Sequence, residues 1–175
     1  MKYTKENIKI EKKLNIFVIT LSDRASKGIY EDKSGIEIQN RLQTYFTERA
    51  WNFEIFYKII PDEPDIFKDE IMKAVGSQAD IIISTGSTGV GPRDIAPDVI
   101  IPLLDKEIPG IMELIRVKYG MNIPNAVLSR SVAGFIENSQ IYCLPGSLKA
   151  VNDYMNEILK TLEHLIYMFY GIDTH

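Results

Sequence analysis

Short apolar runs alternate with segments of helical spacing along this chain, and the alternation limits the folds it can adopt. Residues 14–21 and 80–84 are apolar runs rich in β-branched side chains and predict buried strands, and residues 53–60 predict a further strand. Helical spacing recurs between and after these runs, over residues 34–50, 65–76, 97–105, 109–119 and about 147 to 169. Strands that alternate with amphipathic helices predict an α/β fold, here one three-layer domain with a mostly parallel sheet flanked by helices.

Three local patterns refine this organisation. Residues 132–136 and 140–144 are short apolar runs around Glu-Asn-Ser, which predicts a small hairpin. Ser34 precedes Glu37 by three positions, which predicts a capping box at the start of the first helix. Residues 1–13 are mostly polar and predict a flexible N-terminal arm, so the folded domain is expected over residues 14–171.

The composition argues against several classes of function. The 175 residues, of which 45% are hydrophobic, suit one domain with a sizeable core. The chain has 20 basic and 24 acidic residues and no basic block, which argues against nucleic-acid binding. No apolar run approaches the roughly 20 residues that span a bilayer, and the N-terminus lacks the apolar core of a signal peptide. A single cysteine, Cys143, suits a reducing cytoplasm.

The same inventory narrows the chemistry. The chain has two histidines, His164 and His175, which leaves no credible base for a Ser-His-Asp or Cys-His site and no ligand cluster for zinc. Carboxylates, hydroxyls, backbone amides and arginines remain as candidates. These groups suit magnesium and phosphate chemistry.

A glycine-rich loop follows the third predicted strand. Residues 81–94 read IIISTGSTGVGPRD, so an apolar strand enters a loop rich in amides and hydroxyls. Such a loop can bind phosphate, whereas its structural alternative is a mobile turn between a strand and a helix. The spacing G-x-x-G-x-G, with no Gly-Lys-Ser/Thr ending, matches neither a P-loop nor a dinucleotide-binding fingerprint.

Polar clusters follow the carboxyl ends of the predicted strands, at residues 22–24, 62–63, 85–94 and 145–147. In parallel sheets the ligand sits outside these ends, so one rim is expected to gather the clusters. Each candidate also has a structural alternative. Asp62 could be a turn residue, Asp94 and Ser147 could cap helices, and Arg130 could form a surface ion pair. Arg93 could bind phosphate or could pair with Asp94.

Four stretches together resemble the molybdopterin adenylyltransferases, a family related to the N-terminal domain of gephyrin. They are SDRASKGIYEDKSG at 22–35, IPDE at 60–63, STGSTGVGPRD at 84–94, and LSR at 128–130 taken together with LPGS at 144–147. Their order and spacing cover about residues 14–168. Four loops in register are a specific match, whereas one glycine-rich loop would be a weak one.

The resemblance implies a reaction and a set of roles. The family transfers AMP from ATP to the terminal phosphate of molybdopterin and releases pyrophosphate. Asp62 and Asp94 would be catalytic and would hold Mg²⁺ between the substrate phosphates. The nucleotide phosphates would bind to Thr85, Gly86, Ser87, Thr88 and Gly89. Molybdopterin would bind to Ser22, Asp23, Ser129, Arg130, Gly146 and Ser147. A homotrimer and a downstream molybdenum-insertion enzyme are also implied, and the aromatic cluster at 167–170 suggests contacts between subunits.

One position departs from the family pattern. Ser87 stands where the family usually has the middle glycine of Thr-Gly-Gly-Thr-Gly. A Cβ there is a liability if the backbone needs a positive φ, whereas the hydroxyl could add a phosphate contact. Three functional alternatives remain beside the enzyme: a binding-only protein of the same fold, a scaffold of the gephyrin kind, and an unrelated nucleotide-binding α/β protein.

Overall fold

The computed structural model describes residues 12–171 and contains one six-stranded sheet in the order β2-β1-β3-β6-β5-β4. The strands are β1 (Leu14–Leu21), β2 (Phe53–Ile60), β3 (Ile81–Thr85), β4 (Lys106–Glu107), β5 (Val132–Ile136) and β6 (Ser139–Leu144). The helices are α1 (Asp23–Ser26), α2 (Ser34–Glu48), α3 (Pro64–Gly76), α4 (Ala96–Ile100), α5 (Pro109–Gly120) and α6 (Leu148–Phe169). Two 3-10 helices occupy Ile101–Leu103 and Pro124–Leu128.

Parallel pairing dominates the sheet. β1 pairs in parallel with β2 and β3, and β3 pairs in parallel with β6. The β5–β6 hairpin adds an antiparallel edge, which β4 extends. The predicted α/β fold with a mostly parallel sheet and a small hairpin is therefore confirmed.

The core lies on both faces of the sheet. One cluster packs α2, α5 and α6 against one face, with Phe46 and Tyr142 among its largest buried side chains. The other packs α3 and α4 against the opposite face around Phe67 and Ile82. Helices on both faces of the sheet give the three predicted layers. The loops that connect the strands to these helices lie at the carboxyl ends of the strands, outside the two clusters.

Several local predictions were wrong, and each error has a physical cause. The loop at 22–28 contains α1, a single helical turn capped by the Ser22 hydroxyl, which accepts from the Ala25 amide. Ser34 makes no capping box, because it is already inside α2 and its hydroxyl donates to the Gly146 carbonyl. The helix predicted over 97–105 is shorter, since α4 tightens into a 3-10 turn at Ile101.

The ends of the described chain are joined. Most of the predicted N-terminal arm lies outside the described residues, but the Lys12 Nζ is 2.7 Å from an oxygen of Asp80. The Tyr170 hydroxyl donates to the same carboxylate, so the end of α6 is held near the start of β1. Within residues 12–171 no helix has the length and apolar character needed to cross a bilayer.

Helix α6 provides a test of how the core stabilises the fold. Leu162 on this helix is fully buried, whereas Leu148 at its start is 42% exposed. We expect Leu162→Ala to lower the free energy of unfolding by about 2–5 kcal/mol, since the truncation leaves a cavity. The control Leu148→Ala should cost about 1 kcal/mol or less. Urea unfolding measures both, and equal losses would contradict the assigned packing of α6.

Candidate active site

A cleft of about 440 Å³ opens at the carboxyl ends of β1, β2, β3 and β6. Its lining is Thr20, Leu21, Ser22, Asp23, Arg24, Ala25, Tyr30, Asp32, Ser34, Asp62, Thr85, Gly86, Ser87, Arg93, Asp94 and Gly146. These residues come from the loops that follow four different strands. The single rim expected from the sequence is therefore present, and it brings the polar clusters together in one cleft.

The candidate residues divide into two groups by position. Those that line the cleft are Ser22, Asp23, Asp62, Thr85, Gly86, Ser87, Asp94 and Gly146. Those that lie outside its lining are Thr88, Gly89, Ser129, Arg130 and Ser147. Ser147 caps α6, where its hydroxyl accepts from the Ala150 amide at 3.3 Å, as its structural alternative predicts. The Ser129 hydroxyl is hydrogen-bonded to that of Ser131 at 2.7 Å.

Asp23 and Asp62 are linked by two reciprocal hydrogen bonds, each from the backbone amide of one residue to the carboxylate of the other. The Asp23 amide donates to Oδ2 of Asp62 at 3.0 Å, and the Asp62 amide donates to Oδ1 of Asp23 at 3.2 Å. Burial raises the pKa of Asp62 above the ordinary value, and the hydrogen bond from Asp23 only partly opposes it. Burial also acts on Asp23, but hydrogen bonds from the Asp62 amide and from Arg93 outweigh it and lower the pKa of Asp23.

Arg93 neutralises acids at the mouth of the cleft. Its Nε and Nη2 donate to the carboxylate of Asp23 at 3.1 and 2.8 Å, and Nη2 also donates to Glu63 at 3.0 Å. The sequence left Arg93 as a phosphate ligand or a partner for Asp94. In the structure its carboxylate partners are Asp23 and Glu63.

Gly86 marks the point where β3 passes into the glycine-rich loop. Its φ is +101°, and a Cβ there would lie 2.3 Å from the Leu21 carbonyl oxygen. Only glycine fits both constraints. The Gly86 amide donates to the Leu144 carbonyl at 2.9 Å, which ties the loop to the end of β6.

Ser87, which stands where the family usually has glycine, adopts the left-handed backbone conformation. Its φ is +60°, a conformation that costs a residue with a Cβ some free energy. The hydroxyl offsets this cost, because it donates to the Arg93 carbonyl at 2.7 Å and accepts from the Ile95 amide at 2.9 Å. The serine hydroxyl therefore closes the loop on itself.

Asp94 lies at the other end of the loop and faces the cleft. One carboxylate oxygen accepts from the Gly91 amide at 2.8 Å. A Cβ on Gly89 would lie 2.7 Å from the same oxygen, so this glycine makes room for the carboxylate. The amides of Ser87, Thr88, Gly89 and Val90 have no hydrogen-bond acceptor among residues 12–171. This loop therefore offers donors to an anion next to a carboxylate.

The sequence analysis missed a buried acid in the cleft. The Asp32 carboxylate accepts from the Ser34 and Gly35 amides at 2.9 and 3.0 Å and from the hydroxyls of Thr20 and Tyr57. Asp32, one position before the N-cap residue Lys33, therefore satisfies the first two amides of α2, whereas a capping box at Ser34 had been predicted. Burial and the bond to Asp32 raise the pKa of Tyr57. An aspartate two positions before a helix was the available signal, and the capping-box interpretation obscured it.

A second cleft, of about 520 Å³, lies at the opposite end of β2 and along α2. Side-chain amides such as Gln39, Gln43 and Asn52 dominate its lining, and its acid, Glu54, is paired with Lys13 at 2.6 Å. It gathers no set of groups suited to catalysis. The smaller cleft at the carboxyl ends of the strands is the candidate active site.

A mostly parallel sheet with a glycine-rich loop and aspartates at its carboxyl edge is typical of α/β proteins that bind nucleotides or phosphates. The family profile described as "Probable molybdopterin binding domain" matches residues 17–164. The chain belongs to this family.

Individual relatives agree with this assignment. A molybdopterin adenylyltransferase of Helicobacter pylori (strain ATCC 700392 / 26695) is 35% identical over 159 residues, which cover 90% of this chain and 89% of the relative. Gephyrin of Dictyostelium discoideum is 37% identical over 168 residues, which cover 93% of this chain but 23% of gephyrin. The crystal structure of MoaB, a tungsten cofactor synthesizing protein from Pyrococcus furiosus, superposes with a TM-score of 0.80 at 33% identity. That match covers 91% of this chain and 98% of the other.

The opposite pKa shifts of Asp62 and Asp23 predict opposite effects of pH on stability. Folding raises the pKa of Asp62, so its ionisation destabilises the folded state as the pH rises through the carboxyl range. In metal-free buffer at about pH 7, Asp62→Asn should therefore raise Tm, and the gain should vanish in acid.

For Asp23 the sign is reversed. Its lowered pKa contributes stability above the unfolded-state pKa, and this contribution is lost as the pH falls through the folded-state pKa. Asp23→Asn should therefore lower Tm at about pH 7, and this loss should shrink as the pH falls below the ordinary carboxyl range. Thermal unfolding across this pH range checks the pair, and a shift of the same sign in both variants would contradict the assignment.

Proposed function

We propose that this protein is a molybdopterin adenylyltransferase, which transfers AMP from ATP to the terminal phosphate of molybdopterin. One observation carries the proposal: Asp62 and Asp94 line the same cleft as the glycine-rich loop, whose amides at 87–90 have no acceptor in the described part of the chain. Its relatives named molybdopterin adenylyltransferase support the assignment over most of the chain.

The reaction needs no nucleophile from the protein. A terminal phosphate oxygen of molybdopterin forms a bond to the α-phosphorus of ATP, and the bond from that phosphorus to the pyrophosphate oxygen breaks. The site must therefore align two anionic substrates and offset their charge. The cleft suits this task, because its functional groups are amides, hydroxyls, carboxylates and the guanidinium groups of Arg24 and Arg93.

Magnesium is the proposed cofactor. Among residues 12–171 no group of three or more acids, histidines or cysteines could hold a metal by itself. Mg²⁺ in nucleotide sites is commonly held by one or two carboxylates together with substrate phosphates, and Asp62 and Asp94 fit that requirement. When bound, the ion would neutralise charge on the phosphates.

The two substrates would share the rim. The amides of the glycine-rich loop would bind the nucleotide phosphates, with Thr85 and Gly86 at its base. Ser22, Asp23 and Gly146 would contact molybdopterin, since they enter the cleft from the loops after β1 and β6. The product would pass to a molybdenum-insertion enzyme. The reduced, fully buried Cys143 suits a reaction in the cytoplasm.

A single-turnover incubation tests the function. Purified protein, molybdopterin, Mg²⁺ and α-labelled ATP are mixed, and label on the pterin is scored together with released pyrophosphate. Label that depends on the pterin supports the transferase. Pterin binding without transfer would instead indicate a binding-only protein of the same fold.

The two cleft aspartates provide the sharpest variants. Asp62→Asn and Asp94→Asn should each lower the single-turnover rate by about 100-fold or more, because each removes a carboxylate charge that would hold Mg²⁺ against the substrate phosphates. The control Asp153→Asn alters a carboxylate paired with Lys149 on α6 and should leave the rate unchanged. Near wild-type turnover in either cleft variant would refute that residue's role.

A homotrimer is the proposed assembly, and an exposed apolar surface supports it. This surface, the α5 patch, consists of Leu114, Val117, Met121, Val127 and Leu128, which are 54–80% exposed. The first three share one side of α5, and Gly120 lets Val127 pack closely against that helix. A contiguous apolar patch of this kind marks an interaction site.

The aromatic cluster at the end of α6 is a weaker candidate for subunit contacts. Tyr167 is buried, Phe169 stacks on Phe135 with ring centroids 5.7 Å apart, and Tyr170 binds Asp80. These contacts lie within one chain. Met168, 62% exposed, is the most exposed side chain of the cluster, followed by Phe169 at 38%.

The assembly can be tested by one substitution and a matched control. Val117→Glu should convert the trimer to monomer in light scattering coupled to gel filtration, because it places a charge in the α5 patch. Met168→Glu changes a similarly exposed residue at the other candidate surface and should leave the trimer intact. The reverse result would move the interface to α6.

A further inference from the structure

Arg130 is directed at the glycine-rich loop from outside the cleft. Its Nε donates to the Gly89 carbonyl at 2.8 Å, and its Nη2 donates to the Asp94 carbonyl at 2.6 Å. Its own amide donates to the Thr88 carbonyl at 2.9 Å. One residue thus binds the two ends of the segment 89–94, which is the part of the loop that carries Asp94.

Asp98, in α4, fixes the orientation of this guanidinium. Its Oδ1 accepts from Nη1 at 2.7 Å, and its Oδ2 accepts from Nη2 at 3.0 Å. A two-pronged bond between guanidinium and carboxylate is the strongest and most directional arrangement these groups form. Asp98 lies in α4, four positions after Asp94, and Arg130 lies just before β5. The pair therefore joins the loop, α4 and the segment before β5.

The hydrogen-bond inventory leaves this arginine little capacity for a substrate. A guanidinium has five N–H groups, and four bonds from Arg130 go to Gly89, Asp94 and Asp98. Arg130 is also absent from the cleft lining. The hydrogen-bonding groups of Arg130 are therefore used within the protein, with no need of a substrate phosphate as partner.

We propose that Arg130 and Asp98 form a positioning pair that holds the backbone of the glycine-rich loop so that the Asp94 carboxylate faces the substrates. The proposal rests on the adenylyltransferase function. It assigns Arg130 a role through Asp94, in place of the direct contact with molybdopterin that the family resemblance implied.

Such a pair matters because the rate of the reaction depends on the position and direction of the Asp94 carboxylate. One oxygen of Asp94 is bound by the Gly91 amide, so the direction of the carboxylate depends on the shape of the turn from 89 to 94. A displacement of about 1 Å in an aligned group can lower a rate by about two orders of magnitude. Removing the bonds to Gly89 and Asp94 frees this turn to move.

The test compares Arg130→Lys, Asp98→Asn and the double variant. Each single variant should lower the single-turnover rate of AMP transfer by about tenfold and raise the Mg²⁺ concentration for half-maximal rate, because the loop misplaces Asp94. The double variant should lose little more than either single variant, since both act on one coupled unit. The dissociation constant for molybdopterin should change by less than about twofold in all three.

Arg116 provides a matched control for a merely structural effect. It is a partly buried arginine whose Nη1 donates to the carbonyls of Ser129 and Ser131, at 3.4 and 3.2 Å, beside Arg130 in the chain. Its hydrogen bonds within residues 12–171 go to Ser129 and Ser131 and not to the segment 89–94. Arg116→Lys should therefore leave both the rate and its Mg²⁺ dependence unchanged, and equal losses in Arg116→Lys and Arg130→Lys would overturn the proposal.

The outcome also separates positioning from substrate binding. If Arg130 contacted a substrate phosphate, Arg130→Lys would weaken molybdopterin binding severalfold while Asp98→Asn, which removes a negative charge, would not. That pattern, or wild-type kinetics in both variants, would overturn the proposal.

Hydrogen–deuterium exchange tests the pair even if the protein transfers no AMP. The amides of Gly91 and Asp94, which are bonded to the Asp94 carboxylate and the Gly91 carbonyl, should exchange faster in Arg130→Lys and Asp98→Asn than in the parent protein, with no change in β1. Unchanged exchange in the loop would overturn the positioning role. An absence of transfer by the parent protein would refute the proposed function alone.

Discussion

Parallel pairing of β2, β1, β3 and β6 is the constraint on which the site depends. The register places Leu21 beside Ile60 and Thr85 beside Leu144, so these strands end in nearly one row. Parallel strands in register must deliver the loops that follow them to the same edge of the sheet. The aspartates, the glycine-rich loop and the start of α6 meet there because of the ladder, although they are far apart in sequence.

Charge is the second organising factor of the cleft. Asp23, Asp32, Asp62 and Asp94 all line it, while Arg93 offsets two acids at its mouth. Backbone amides stabilise the carboxylates that are paired, and burial disfavours the ionised form of Asp62. An acidic cleft attracts two phosphate substrates only with a cation present, which agrees with the proposed need for Mg²⁺.

Prediction from the sequence succeeded for the elements that a local sequence pattern is enough to specify. β1 and β2 match their predicted bounds: β1 is a largely buried apolar run, and β2 is the edge strand beside it, half-exposed along most of its length. It failed where tertiary contacts decide the geometry. β4 is two exposed residues that form a strand only by pairing with β5. Asp32 satisfies the first amides of α2, while the Ser34 hydroxyl donates to the Gly146 carbonyl, 112 positions away, so that no capping box forms.

The sequence by itself determined the fold class, the strand ends at which the polar clusters lie, and the resemblance that nominated Asp62 and Asp94. These depend on periodicity and on order along the chain, which are local properties. The tertiary structure alone decided the partners: Arg93 with Asp23 and Glu63, and Arg130 with the carbonyls of Gly89 and Asp94. The direction of a guanidinium depends on acceptors that the fold brings near, 36 positions away for Asp94, and no local pattern encodes them.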